Sequence, residues 1–508
     1  MPMNGSDASP RNPKTPVAII GAGLGGLSAA IHLRLRGYDV TVFEGQERPG
    51  GRANRVEQRG FTFDTGPSLL NYPWVFEELF AAAGKRLEDY VQLLPVDPSV
   101  AYQWPDGARL ELTSQYDRLL ANLEALEPGV GRGLARYFRD AHAKYALAFD
   151  KLVTRNTDNP MAWLGRLTPR QMMRTAVWRS LYGELGRFFK NPRIREAFGA
   201  YGMYLGGSPF DLPGIFTILA YGELAQGLWL PKGGVYGLVE GMRKLAEELG
   251  ARIYCGAPVR AIRVLDGAVR GLELGDGSRE DWRTVVSNVD VLTTDTQLVD
   301  DPGFREAAQR RAGRTAMTPC VYTYYWSVRR TINGLGHHTI FLPSDYRGAF
   351  DDLFKNGRMP TGLPFYTSVA SATDPGLAPQ GGASLFVLVP APLLGPVNGN
   401  PAALDAGVIR EQVLARMNQH GVDLAPSDII AETVYTPEDW RARFGLYRGS
   451  AFGAAHTLFQ MGPWRSPNYA KGLKGLYYTG ASTTPGTGMP MVVLSGKMTA
   501  ERIDSHAN

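Results

Sequence analysis

The chain has 508 residues, 44% apolar and 20% charged, with a formal net charge of +5. That length exceeds one ordinary hydrophobic core and implies two or three structural domains, while the composition excludes a disordered, fibrous or short-repeat protein. Basic residues are spread along the chain, which argues against a nucleic-acid partner, and no run of 18 or more apolar residues offers a membrane-spanning helix.

Residues 1–15 are polar and Pro-rich without an apolar signal core, so they read as a disordered lead-in, with the first strand starting near Pro16. Cys255 and Cys320 are too few for a disulfide framework and lack zinc-type neighbours, so a reduced, cytoplasmic setting is expected.

Residues 17–20 form a short apolar run, followed at once by a glycine-rich turn at 21–26 and a helix-forming stretch at 27–36. Gly37 ends that helix, and 39–44 reads as a second buried strand closing on an acid. Strand, turn, helix and strand make a dinucleotide-binding unit. Gly21 makes the tight turn, Gly23 lets backbone approach a pyrophosphate, and Gly26 lets the helix pack on the strand. Helix amides then face the anion, and Glu44 accepts from the ribose hydroxyls.

Residues downstream of this unit decide which dinucleotide is bound. Gly50, Gly51 and Arg52 come next, then Phe63-Asp64-Thr65-Gly66-Pro67-Ser68. A guanidinium beside a glycine pair can close an anion cradle from the far side. This Gly-Gly-Arg run with Phe-Asp-x-Gly-Pro resembles the FAD-binding N-terminus of the amine oxidase and phytoene desaturase superfamily. The resemblance implies FAD, with Gly51 and Arg52 in the cradle and Gly66, Pro67 and Ser68 beside the isoalloxazine. An Asx turn closed by Gly66 and Pro67 is the plain structural reading of the same residues, and the two are compatible.

The spacing predicts a helix near 71–84, a hairpin over 96–112 around Pro105-Asp106-Gly107, and helices near 116–126, 133–152 and 170–189. Within 161–190, six basic residues from Arg166 to Lys190 face the single acid Glu184, interleaved with Trp163, Met172, Met173, Trp178, Phe188 and Phe189. Two readings fit: a basic amphipathic helix lying on a membrane surface, or an ordinary helix packed on the core with a solvated basic face. An insoluble substrate favours the first.

Residues 230–237, with their Pro-Lys-Gly-Gly turn, resemble the same family, as does a helix at 238–249 leading back into the cofactor domain. By that resemblance, strands at 252–254 and 257–262 resume the cofactor sheet and the backbone of Val259 holds the adenine end of FAD. Residues 285–290 form the last return strand before a second excursion. That excursion contains 322–326, the adjacent His337 and His338, and the apolar run 384–389. Neighbouring residues on a strand face opposite ways, so the histidines are not expected to share a metal, and no metal site is assigned.

The segment 475–490 followed by an apolar helix at 491–503 repeats strand, glycine-rich turn and helix. A helix N-terminus set against a flavin stabilises the charge that builds on the reduced ring. The segment closely resembles the signature of bacterial-type phytoene desaturases, which implies Gly480 by the ribityl and phosphate region and Gly488 and Met489 beside the isoalloxazine. Met489-Pro490-Met491 departs from that pattern, since a branched aliphatic residue is expected before the proline.

The expected fold is therefore α/β. It has a Rossmann-like FAD-binding domain (16–70, 231–290 and 445–508), an interleaved α+β substrate domain (71–130 and 291–444), and a helical, membrane-facing segment at 131–230. The resemblance implies an FAD-dependent carotenoid desaturase acting on a long polyene of the phytoene type. It would rest peripherally on a membrane surface and be reoxidised by oxygen or a quinone. No catalytic residue or proton acceptor is named by the sequence. A 3,4-desaturase of a hydroxylated carotenoid, a carotenoid oxygenase or ketolase, and a squalene-type oxidoreductase are the enzymatic alternatives; a prenyl-lipid carrier of the GDP dissociation inhibitor type is the non-enzymatic one.

Overall fold

The computed structural model describes residues 14–156, 159–395 and 405–507, so the expected lead-in lies almost wholly outside the described residues. The first strand begins at Lys14. Five strands run parallel in the order Leu476–Tyr478, Thr284–Ser287, Lys14–Ile20, Tyr38–Phe43 and Arg252–Tyr254. Val17, Ile19, Val40 and Val42 are fully buried, the continuous apolar pattern of strands covered on both faces. On one face the helix Leu24–Leu35 packs between Val235–Glu248 and Met489–Ala507. On the other, Ala18, Ile20 and Phe43 share a core with Ile262, Val269 and Leu272.

Those last residues belong to a separate four-stranded sheet, ordered Arg279–Asp281, Ala268–Leu274, Val259–Leu265 and Val299–Asp300. The expectation that 257–262 continues the parallel sheet is thus corrected. Gly256, at φ 67°, turns the chain away, and Pro258 has no amide to give a ladder.

A seven-stranded sheet carries the other half of the molecule. Its order is Ile429–Tyr435, Cys320–Val328, Ala383–Ala391, Phe365–Val369, His338–Phe341, Val100–Gln103 and Arg109–Leu112, antiparallel except between His338–Phe341 and Val100–Gln103. All nine residues of Cys320–Val328 are buried. Tyr322, Tyr324 and Trp326 enter one core, and Tyr325 enters the other with Ile340, Tyr366 and Phe386, as strand alternation requires.

The segment 131–230 packs on that second face. Tyr137 of the helix Gly131–Ala148 meets Phe188, Phe189 and Phe198 edge-on or tilted, in the same buried cluster as Tyr325 and Ile340. The single basic helix expected within 161–190 is replaced by three short ones, Pro160–Leu164, Pro169–Thr175 and Leu181–Leu185. Pro160 and Pro169 each start a new helix, while Ala176 turns left-handed at φ 50°. Much of its apolar set is core: Leu181, Leu185, Phe188 and Phe189 are buried. Glu184 is fully buried too, 2.9 Å from Lys144 Nζ and 2.6 Å from Arg187. Met161, Met173 and Trp178 remain exposed.

Candidate functional site

Where the two halves meet lies a cavity of about 750 Å³. Its wall holds Gly21, Gly23, Glu44, Gly51, Arg52, Gly66, Pro67, Ser68, Val259, Gly480, Gly488 and Met489. Of the residues assigned to the cofactor from sequence, only Gly26 stands back from it. A Cβ on Gly26 would lie 2.0 Å from the Gly21 carbonyl oxygen, so the turn closes on the helix at that point. Helix Leu24–Leu35 has no side-chain cap, which leaves its first-turn amides open toward an anion.

Glu44 ends its strand buried, and its two oxygens accept from the amides of Ala22 (2.7 Å) and Gln46 (2.9 Å). Burial raises its pKa above the usual carboxylate value, and those amides oppose the shift. Each oxygen keeps a lone pair for a hydroxyl. The Gly50 amide donates to Ala22 O at 2.9 Å, which ties the Gly50–Gly51 turn to the first one. Arg52 Nη1 donates to Ala451 O at 2.6 Å; burial lowers its pKa, and the Asp290 charge opposes that. At Gly488 an added Cβ would meet nothing nearer than Met491 Cγ at 4.0 Å, so the turn before helix Met489–Ala507 keeps open space.

Three groups escaped the sequence reading. Asn288 follows strand Thr284–Ser287 and donates from Nδ2 to Thr479 O at 3.0 Å, joining the two glycine turns. Added Cβ atoms on Gly23, Gly25 and Gly480 would fall 2.7, 2.7 and 2.6 Å from its amide. A side chain at Gly23 would thus have to displace this asparagine's amide, whatever else approaches the turn. Asp290 accepts from the amides of Leu292 and Thr293 and from the Ser482 hydroxyl, and burial raises its pKa. Arg465, nearly inaccessible, donates to the carbonyls of Ala481 and Thr483 and so clamps the 481–488 turn; burial lowers its pKa to about 10. No motif spacing announces any of the three: Asn288 reaches Thr479 and Asp290 reaches Ser482, 191 and 192 residues on, and Arg465 holds two carbonyls 16 and 18 residues ahead.

Much of the rest of the wall is apolar, although Tyr72, Arg155, Tyr204, Tyr366 and His456 also line it. Val321, Ile340 and Leu388 come from the seven-stranded sheet, and Leu219, Phe216, Phe350 and Leu353 from the helices over it. The adjacent histidines correct another expectation. His337 precedes the strand His338–Phe341, so alternation does not separate them, and their rings lie 4.1 Å apart. Each nonetheless has its own partner: His337 Nδ1 pairs with Thr373 Oγ1 and His338 Nδ1 with the Tyr366 hydroxyl, both at 2.6 Å. Among the described residues no cluster of three or more His, Cys, Asp or Glu is placed to hold a metal.

Residues 24–504 match the model of the family described as flavin containing amine oxidoreductase. The chain belongs to that family. A zeta-carotene-forming phytoene desaturase of Myxococcus xanthus is 36% identical over 493 residues, covering 97% of this chain and 94% of that one. The lycopene-forming phytoene desaturase of Pantoea ananas is 32% identical over 492 residues, covering 96% and 98%. A wild-type putrescine oxidase bound to putrescine shares the fold, with a TM-score of 0.61 and 16% identity over 97% of this chain and 99% of that one. Like other flavin containing amine oxidoreductases, this one is an FAD-dependent oxidoreductase. The open amides, the buried Glu44 and the cleared space at Gly488 fit the cofactor.

Proposed function

We propose that the protein is a carotenoid desaturase that uses FAD to introduce double bonds into a phytoene-type polyene. The observation that carries this reading is a single cavity whose wall changes from backbone glycines to apolar side chains, in a chain more than 30% identical to phytoene desaturases over nearly its whole length. When bound, FAD supplies the hydride acceptor for a CH–CH bond. In this reading Gly21, Gly23, Glu44, Gly51 and Arg52 hold the pyrophosphate and ribose, with Gly26 letting the turn close on its helix behind them, Val259 holds the adenine end, and Gly480 the ribityl chain. Gly66, Pro67, Ser68, Gly488 and Met489 line the ring. Arg465 and Asn288 stiffen the turns that carry those residues. Phe216, Leu219, Ile340 and Leu388 exclude water and lay the polyene along the ring.

Incubation of the FAD-loaded protein with phytoene in liposomes should yield products absorbing at longer wavelength, each added double bond extending the chromophore. Failure to convert either phytoene or a 1-hydroxylated carotenoid overturns the reading. Colourless protein that takes up no FAD returns it to the class of prenyl-lipid carriers.

The polyene reaches the cavity from a membrane surface in this proposal. No described helix is long and apolar enough to cross a membrane. Met161 and Phe459 are 76% and 74% exposed, and Trp464 packs against both Phe459 and Trp163. Trp163, Met461 and Gly462 belong to the cavity wall, which supports an apolar rim at its mouth, with Arg166, Arg170 and Arg174 nearby in sequence. Arg170→Gln should weaken flotation with anionic liposomes about fivefold, on the order of 1 kcal/mol for one basic residue near such a surface. Oxygen or a quinone is the expected final electron acceptor.

A further inference from the structure

Removing two hydrogens from neighbouring carbons needs an acceptor for a proton as well as one for a hydride. A carbon chain offers no polar handle, so the proton acceptor must come from the wall. Most of the sheet side of that wall is apolar: Val321, Ile340, Leu388 and Pro390 carry no ionisable group, and the Cys320 thiol donates to Arg448 O, with burial pushing its pKa up to about 12. Tyr366, on strand Phe365–Val369, is the one hydroxyl among the described sheet residues that line the cavity.

Tyr366 is set in a defined contact. Its hydroxyl lies 2.7 Å from Ser68 Oγ, in the segment assigned above to the flavin ring, and 2.6 Å from His338 Nδ1. The tyrosine and histidine rings stack, with centroids 5.8 Å apart and planes 24° apart. His338 is almost inaccessible, and its Nε2 is buried without a hydrogen-bond partner. Burial and the neighbouring His337 hold its pKa well below the usual value, so the ring is neutral at rest. Phenols are weak bases unless they give up their own proton as they accept another. A serine hydroxyl cannot keep that proton, whereas an imidazole nitrogen can.

We infer that Tyr366 receives the substrate proton at the cavity wall while passing its own proton to His338 Nδ1. The electron pair of that C–H bond becomes the new π bond, and the hydride with its pair is FAD's share. Tyr366 remains a neutral phenol throughout and His338 becomes imidazolium. Burial disfavours that charge, so His338 releases the proton once the product forms. A small cavity lies next to the pair, where Asp64, Ser68, His337, Ser368 and Ser384 line it among Phe63, Leu230 and Phe386, and those polar groups offer the way out. Tyr366 touches the substrate; His338 is a positioning residue that acts through it. The inference rests on the desaturase reading above.

Two measurements test it, one of which needs neither flavin nor substrate. Nitrogen-15 spectra of histidine-labelled protein, assigned with His338→Gln, should place the proton of His338 on Nε2, with Nδ1 accepting from a phenol and that signal shifting in Tyr366→Phe. A proton resident on Nδ1 in the wild type overturns the inference, because Nδ1 could then accept nothing. In turnover, Tyr366→Phe and His338→Gln should each lower kcat about 100-fold or more with KM nearly unchanged. Both should raise the isotope effect for substrate deuterated at the proton-losing carbon, which a purely structural loss would not do. Unchanged kcat in both variants, or the same signature in Glu223→Gln instead, overturns it. Wild-type protein that converts no polyene defeats the functional reading, and the tautomer result judges the pair separately.

Discussion

On the parallel-sheet side the cavity wall is mostly backbone. Gly23, Gly25 and Gly480 crowd Asn288 so closely that an added methyl group on any of them would fall within 3 Å of its amide. On the seven-stranded side the wall is made of side chains: Val321, Ile340, Tyr366 and Leu388 below, Phe216, Leu219 and Phe350 above. A backbone wall cannot yield without moving a strand or helix, so it admits one ligand shape. Side-chain walls can be recut residue by residue while the sheet behind them persists, which lets one fold take different long substrates. The exceptions on the second side are buried charges, where tolerance ends.

Lys144→Ala is the most severe challenge to that contrast. It would remove the fully buried cation beside Glu184, at 2.9 Å, and leave that buried acid to Arg187 and Arg179, whose side chains are about half exposed. Losing one member of a buried pair costs about 3–5 kcal/mol, so a large fall in the thermal midpoint is expected, measurable by calorimetry. A small change would mean that the helical segment tolerates charge as well as shape. Next comes Gly26→Ala, whose Cβ collides with the Gly21 carbonyl. Overpacking of that kind costs about 3 kcal/mol, which if expressed wholly in cofactor affinity weakens FAD about 100-fold. Gel filtration followed by the flavin absorbance ratio reads it directly. Retained FAD would show that the turn can relax.

The smallest effect concerns pH. Burial pushes Glu223 up to about 7 from a usual 4.5, although Tyr201 donates to it at 2.6 Å. The folded chain keeps this proton in a range where the unfolded chain has lost it. Stability contributed by the group is therefore full below about pH 4.5 and is lost as pH rises to 7, by on the order of 2–3 kcal/mol. Glu223→Gln should flatten that fall in thermal midpoints taken between pH 5 and 8, in protein free of FAD. An unchanged slope would mean that another group carries it.

The two sides were also unequally legible. The cofactor turns could be read because glycine spacing reports backbone geometry directly: Gly21, Gly23 and Gly26 sit in one turn, and the acid at Glu44 ends the adjoining strand. Asn288, Asp290 and Arg465 were invisible because their partners lie elsewhere in the chain, as Asn288 with Thr479 and Arg465 with Ala481. The stretch 161–190 misled for a related reason. Its basic and aromatic pattern suits one amphipathic helix, but Pro169 and the left-handed Ala176 break it, and burial of Glu184 against Lys144 pulls half of it into the core.

Sequence by itself determined the dinucleotide unit, the flavin motifs at both ends and the family, since each depends on local backbone rules or on residues adjacent in the chain. Tertiary structure alone decided that strand Val259–Leu265 leaves the parallel sheet, that the rings of His337 and His338 meet at a tilt with centroids 4.1 Å apart, and that Tyr366 joins Ser68 to His338 at the cavity wall. Those outcomes depend on which strands pair and which faces are buried, and pairing between residues hundreds of positions apart leaves no periodic trace in a single chain.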